Sequence, residues 1–312
     1  MKKILKINFT DFWPDFIKTN NYFYNLLVEK YNVVIDGNPE ILFYSCFGRD
    51  YLKYKCKRVL YLGENIRPDF TACDFAFSFD YNSRKNHFRL PLYALYIDHH
   101  KLLDKLDKRL TNEEAIKAWQ KKTKFCCMVV SNPDCEERIS FFKNLSKEKG
   151  VDSGGRYLNN IGGPVANKME FIRDYKFVLS FENSSHVGYT TEKIMEPILV
   201  DSIPVYWGNK KVHFDFNTNR FISYHDFKTE KDLINKLIEI NENIDLGIKI
   251  LQEATFSKQK ISHNKERHLV LENVIQVINS KRKPIAISNW NYFHRLKLKY
   301  PITEKYLNLI GI

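Results

Sequence analysis

Short apolar runs bounded by polar turns recur along the first third of the chain, at residues 4–9, 31–35, 40–46, 58–62 and 75–79. They alternate with helical patterns such as residues 20–31, the order expected of βαβ units. From residue 98 to 124 charge replaces apolar regularity, which predicts a partly helical connection between two domains. A second α/β set follows, opening on a buried-type strand at 125–130 that ends in Ser131-Asn132-Pro133. A helix is expected over 134–147, with Ile139, Phe142 and Leu145 spaced for one buried face. Further strands are expected at 177–181 and 203–207, with a helix between them opening near Thr191, and helical patterns dominate after Lys228. The expected organisation is α/β: a first domain over 1–110, a second over 111–280 and a basic aromatic tail over 281–312.

Composition narrows this picture in only a few places. A chain of 312 residues suits two domains of roughly 150 residues each. No stretch approaches the roughly 20 apolar residues of a spanning helix, and Lys2 and Lys3 precede too short an apolar run for a secretory signal, so a cytoplasmic protein is expected. Six cysteines form no C-x-x-C pair and read as reduced thiols. The net charge of +12 asks for an anionic partner, which nucleic acid, anionic lipid or a nucleotide-sugar would each satisfy. A basic nucleic-acid-binding protein is therefore the alternative class, although no RRM, KH or zinc-knuckle pattern occurs. No Asp-x-Asp triplet occurs either, so no metal ligands are expected, and His99-His100 reads as surface.

Candidate chemistry concentrates in residues 181–209. A strand ends in Glu182-Asn183-Ser184-Ser185, Gly188 permits a tight turn, and Thr190 or Thr191 can cap a helix that opens with Glu192 and Lys193. Loops at the carboxyl ends of strands are where open α/β sheets bind ligands. Lysine is electrostatically unfavourable in a first helical turn, so Lys193 there implies a nearby anion, and free N–H groups would suit a phosphate. Glu192 could hold a ribose diol, and Tyr189 could stack or donate to a phosphate. The same spacing also fits a capped surface helix with an exposed Glu-Lys pair.

Phe181-Glu182-Asn183-Ser184, Gly188-Tyr189, Thr191-Glu192-Lys193-Ile194 and Ile203-Pro204-Val205-Tyr206-Trp207-Gly208 together resemble the donor-binding signature of the α-1,3/4-fucosyltransferases, glycosyltransferase family 10. Weaker family-like pieces extend the likeness to about residues 58–227. The resemblance implies a GT-B-like fold, with two facing Rossmann-like domains, the active site in the cleft and a helical C-terminal segment. It implies GDP-β-L-fucose as donor substrate, no tightly bound cofactor and a glycan acceptor containing N-acetylglucosamine. Another GDP-sugar is the alternative donor. Position by position, Arg138, Tyr189 and Lys193 look like diphosphate contacts, Glu192 like the ribose contact, and Asn183, Ser131 and Asn132 like further pocket residues. Glu64, in the Gly63-Glu64-Asn65 turn, looks like the catalytic base of an inverting transfer, carried by the acceptor-binding domain. Between Ser280 and Tyr300 six Lys or Arg accompany Trp290, Phe293, Leu296 and Tyr300. Such a helix suits peripheral contact with an anionic membrane on its cytoplasmic face, or an aromatic face packed on the core.

Overall fold

A computed structural model describes residues 2–299. The apolar runs become strands: β1 (Ile4–Thr10), β2 (Asn32–Ile35), β3 (Ile41–Tyr44), β4 (Lys57–Leu62) and β5 (Phe75–Ser78), followed by a short β6 (His87–Arg89). They pair in parallel in the order β2-β1-β3-β4-β5-β6. Parallel strands covered on both faces read as continuous apolar runs, which is why β3 and β5 are buried at every position. Their core is aromatic: the Phe43 ring stacks on Phe9 at 5.2 Å and on Phe23 at 5.0 Å.

The second sheet contains β7 (Lys124–Met128), β8 (Val151–Ser153), β9 (Tyr175–Phe181), β10 (Ile203–Trp207) and β11 (Ile222–Ser223), again parallel, in the order β11-β10-β9-β7-β8. The division between the two units falls between Leu95 and Tyr96, earlier in the chain than the expected break at residue 110. The segment expected to be a connection is helical, over Leu92–His100, Leu103–Asp107 and Asn112–Gln120, and from Tyr96 onward it belongs to the second unit.

From Ser262 the chain returns to the first unit. Lys57 Nζ donates to the carbonyls of Val277, at 2.6 Å, and of Ser280, fixing the end of the helix His263–Asn279. The helix Asn289–Lys299 then docks through polar groups. Arg58, fully buried, donates to Asn291 Oδ1 at 2.9 Å, and His294 lies 2.5 Å from the Tyr51 hydroxyl and 3.0 Å from the Asp69 carboxylate. Bonds from His294 and Thr71 hold the Asp69 carboxyl below its ordinary value even though burial opposes this. Of the aromatic face expected on the core, Phe293 and Leu296 are half-buried and Trp290 is 49% exposed, while the buried positions of this helix are the polar Asn291 and His294. Tyr300 lies outside the described residues.

Candidate functional site

The carboxyl ends of β7, β9 and β10 are adjacent in the second sheet. Ser131 and Asn132 follow β7, Asn183 follows β9, and Tyr189, Glu192 and Lys193 lie along the loop from β9 toward β10. Arg138, from the helix Glu136–Glu148, joins the first two loops. Its Nη2 donates to the Asn132 carbonyl at 2.6 Å, and its Nη1 donates to the Phe181 carbonyl and to Asn183 Oδ1, both at 3.3 Å. Only its Nε is left without a protein partner. The buried face of this helix is thus Arg138, Phe141, Phe142 and Leu145, and Ile139 is only partly covered. The guanidinium can occupy that face because three oxygens receive its protons. Burial pulls its pKa below the ordinary value, opposed by neighbouring Cys135 and Glu182.

The anion expected beside Lys193 is part of the protein. Glu182, fully buried at the end of β9, accepts Lys193 Nζ at 3.2 Å, the Thr191 amide at 2.8 Å and the Thr191 hydroxyl at 2.7 Å. Glu192 stands 3.9 Å from the same ammonium. Burial works against the Lys193 charge, but Glu182 and Glu192 outweigh it and hold its pKa above the ordinary value. Burial pushes the Glu182 carboxyl up, and Lys193 pulls it back.

The expected helix at Thr191 is much shorter than its spacing suggested. Thr191 caps a 3-10 turn, Glu192–Ile194, which runs into one turn of α-helix, Met195–Ile198. Pro197 has no N–H to continue an α-helix begun at Thr191, so the macrodipole expected to favour phosphate is replaced by the Lys193 charge and side-chain donors.

Asn209, which the sequence pattern did not single out, organises the rest. Its Oδ1 accepts from the Gly188 amide at 2.7 Å and the Lys211 amide at 2.9 Å, and its Nδ2 donates to Thr190 Oγ1 at 3.0 Å. Tyr189, 3% exposed, lies between these two held residues. Gly208, at φ 152°, lies so close to Glu182 that a Cβ there would fall 2.6 Å from Glu182 Cγ. The β9 and β10 loops can approach this closely only with glycine at that position. A charged residue ending a buried strand signals a partnered site, and that cue in Phe181-Glu182 would have exposed the role of Glu182.

Seven of the expected site residues therefore gather on one sheet edge of the second unit. Glu64 belongs to the first unit, in the exposed turn after β4, where the Ile66 amide donates to its backbone carbonyl at 2.7 Å. Its carboxylate has no hydrogen bond or ion pair among the described residues.

Comparisons with known proteins give these groupings a family. Residues 7–96 match the alpha-(1,3)-fucosyltransferase FucT N-terminal domain, and residues 119–277 match glycosyltransferase family 10 (fucosyltransferase) C-term. The chain is similar to alpha-(1,3)-fucosyltransferase FucT of Helicobacter pylori, 32% identical over 80% of this chain and 60% of the relative. It thus spans about three fifths of that relative's length. Crystal structures of an alpha1,3-fucosyltransferase are similar throughout: one with GDP at 27% identity, TM-score 0.75, covering 90% of this chain and 92% of the other. Another, with GDP-fucose, is 26% identical with TM-score 0.74 over the same shares. The two α/β units on parallel sheets are of the GT-B-like class. With both family domains matched in order along one chain, this protein belongs to glycosyltransferase family 10, the fucosyltransferases.

Proposed function

We propose that the protein transfers L-fucose from GDP-β-L-fucose to the 3-hydroxyl of N-acetylglucosamine in a lactosamine-type or surface glycan, with inversion at the anomeric carbon. The observation that carries this reading is the single polar edge built by Arg138, Glu182, Glu192 and Lys193 at the ends of β7 and β9. Departure of GDP leaves negative charge on a diphosphate, and preorganised cations are the largest stabilising element for such a step. Lys193, Arg138 and Tyr189 would take the diphosphate, Glu192 the ribose diol, and Asn183, Ser131 and Asn132 the rest of the nucleotide. Glu64 would accept the proton of the acceptor hydroxyl as it attacks opposite the leaving group. In this reading the charge on the donor diphosphate is met by Lys193 and Arg138.

Turnover with N-acetyllactosamine present, read as GDP release and product mass, should occur with GDP-fucose and fall at least about a hundredfold with GDP-mannose. Equal rates would replace fucose by another GDP-sugar, and no release from either donor would remove the enzymatic reading.

The tail is included in the proposal as a peripheral contact with anionic lipid at the cytoplasmic face of a membrane. Ile287, Trp290 and Tyr292 are 55%, 49% and 62% exposed, on a segment that also carries exposed Lys281, Arg282 and Lys283. No helix among the described residues is long and apolar enough to cross a membrane. Cutting the chain at Ser280 would strip Arg58 and Tyr51 of their partners, so the cleaner test is Trp290→Ala with Tyr292→Ala. Co-sedimentation with phosphatidylserine vesicles should drop severalfold in the double variant, and unchanged recovery would end the membrane reading.

A further inference from the structure

Lys122, Arg173 and Val200 stand just before β7, β9 and β10, at the amino ends of strands whose carboxyl ends carry the proposed donor residues. Lys122 is 4% exposed, and its ammonium donates to the carbonyls of Arg173 and Val200, each at 2.8 Å, and to Ser202 Oγ at 3.0 Å. Arg220, also buried, donates to the Ser202 carbonyl at 3.2 Å. All of these acceptors are neutral. Burial pulls the Lys122 pKa down to about 8 and that of Arg220 down to about 10, with Asp201 opposing the fall in both.

A cleft of about 340 Å³ opens beside this cluster, lined entirely by residues of the second unit. Leu102, Met169, Leu199 and Val200 give it an apolar lining, and Tyr96 adds an aromatic side, its ring 4.3 Å from that of His100. The Tyr96 hydroxyl donates to Glu196 at 3.4 Å, and Glu196 is paired with Lys168, so this wall is held without an unpaired negative charge. Lys105 and Arg173 complete the lining, which contains no acidic residue. Both side chains are exposed, and neither forms a hydrogen bond or ion pair among the described residues. Cations without counterions, set against an apolar wall with a buried ammonium behind it, focus positive potential on the cleft.

We infer that this cleft binds an organic phosphate, its apolar body laid on Leu102, Met169, Leu199 and Val200 and its phosphate held by Lys105 and Arg173. The planar guanidinium of Arg173 suits the task, because two of its N–H groups can bridge phosphate oxygens. Inorganic phosphate would engage the cations and leave the apolar lining in water, and a neutral alcohol would do the reverse. The volume is within the range of small-molecule sites. The inference is independent of the fucosyltransferase reading, since no residue of the cleft belongs to the proposed donor edge.

Hexyl phosphate, titrated by calorimetry into the full chain saturated with GDP, tests it. Inorganic phosphate and 1-hexanol should each bind at least about tenfold more weakly than hexyl phosphate. Arg173→Gln should weaken hexyl phosphate at least about tenfold, and adding Lys105→Gln should weaken it further. Lys231→Gln, at an exposed lysine of the helix Glu230–Glu242, should change nothing. Melting temperature should hold in every variant, because each substituted side chain is exposed. Unchanged affinity in the double variant overturns the assignment, as does a wild-type chain that binds no hexyl phosphate or binds inorganic phosphate just as tightly. Co-sedimentation with phosphatidic acid vesicles separates the two sources of such a group: lower recovery of the double variant assigns the cleft to a lipid headgroup, and equal recovery to a free organic phosphate. The same losses in a chain that neither binds GDP nor turns over GDP-fucose would leave the cleft standing and remove the donor reading instead.

Discussion

Glu64→Gln should lower fucosyl transfer by about 10²–10⁴-fold and leave GDP affinity and thermal stability unchanged. The amide keeps the size of the carboxylate and removes its capacity to take a proton from a sugar hydroxyl. Stability should be insensitive because the turn is held by the Glu64 backbone carbonyl, through Ile66, while the carboxylate makes no bond among the described residues. GDP affinity should be insensitive because the proposed nucleotide contacts all belong to Tyr96–Ile261. Initial rates at saturating donor and acceptor, paired with GDP calorimetry, make the comparison; full activity in the variant would sink the base assignment.

Gly155→Ala should be the most damaging single methyl in the second unit. A Cβ at this position would stand 1.8 Å from the Val130 carbonyl oxygen and 2.4 Å from its amide nitrogen, both backbone atoms that no rotamer change can move. Val130 also accepts the Tyr157 amide at 3.2 Å, so separating the two segments breaks that bond just before Ser131 and Asn132. Overpacking of this kind costs about 3 kcal/mol or more, a fall in Tm of roughly 6–12 °C for a unit of this size. Gly150→Ala, where an added Cβ would meet nothing within 4 Å, is the matched control and should melt with the wild type. Identical melting curves for the two variants would contradict the packing described around β7 and β8.

What the sequence made legible follows from how each element is buried. β1, β3, β4, β9 and β10 lie inside their sheets, and their largely apolar runs, broken by few polar residues such as Lys6 and Lys176, could be seen without a structure. β6, β8 and β11 are short edge strands of two or three residues, too brief for any periodicity to emerge. The return of the chain at Ser262 depends on contacts such as Lys57 with Val277 and Tyr51 with His294, which join positions more than 200 residues apart and leave no local trace. At the site, an anion beside Lys193 was expected from its place in the sequence, but that Glu182, a strand-end glutamate 11 residues earlier, stands against it was not, because no local pattern brings the two together. Arg138 turned the helix face expected around Ile139 because side-chain satisfaction outweighed simple apolar periodicity.

The Glu182–Lys193 contact also bears on which anions a protein of net charge +12 can retain. A basic surface draws in phosphate, sulfate and polyanions alike, but this ammonium is already neutralised from within by a carboxylate that cannot retreat into water. A small monoanion gains little by approaching such a pair, since Glu182 and Glu192 repel it as Lys193 attracts it. Under the proposed function, residence would favour a ligand that brings several charges at once together with hydroxyl donors to engage the acidic partners. In that reading the internal counterion would work as a filter, turning a non-selective electrostatic field into discrimination among the anions it collects.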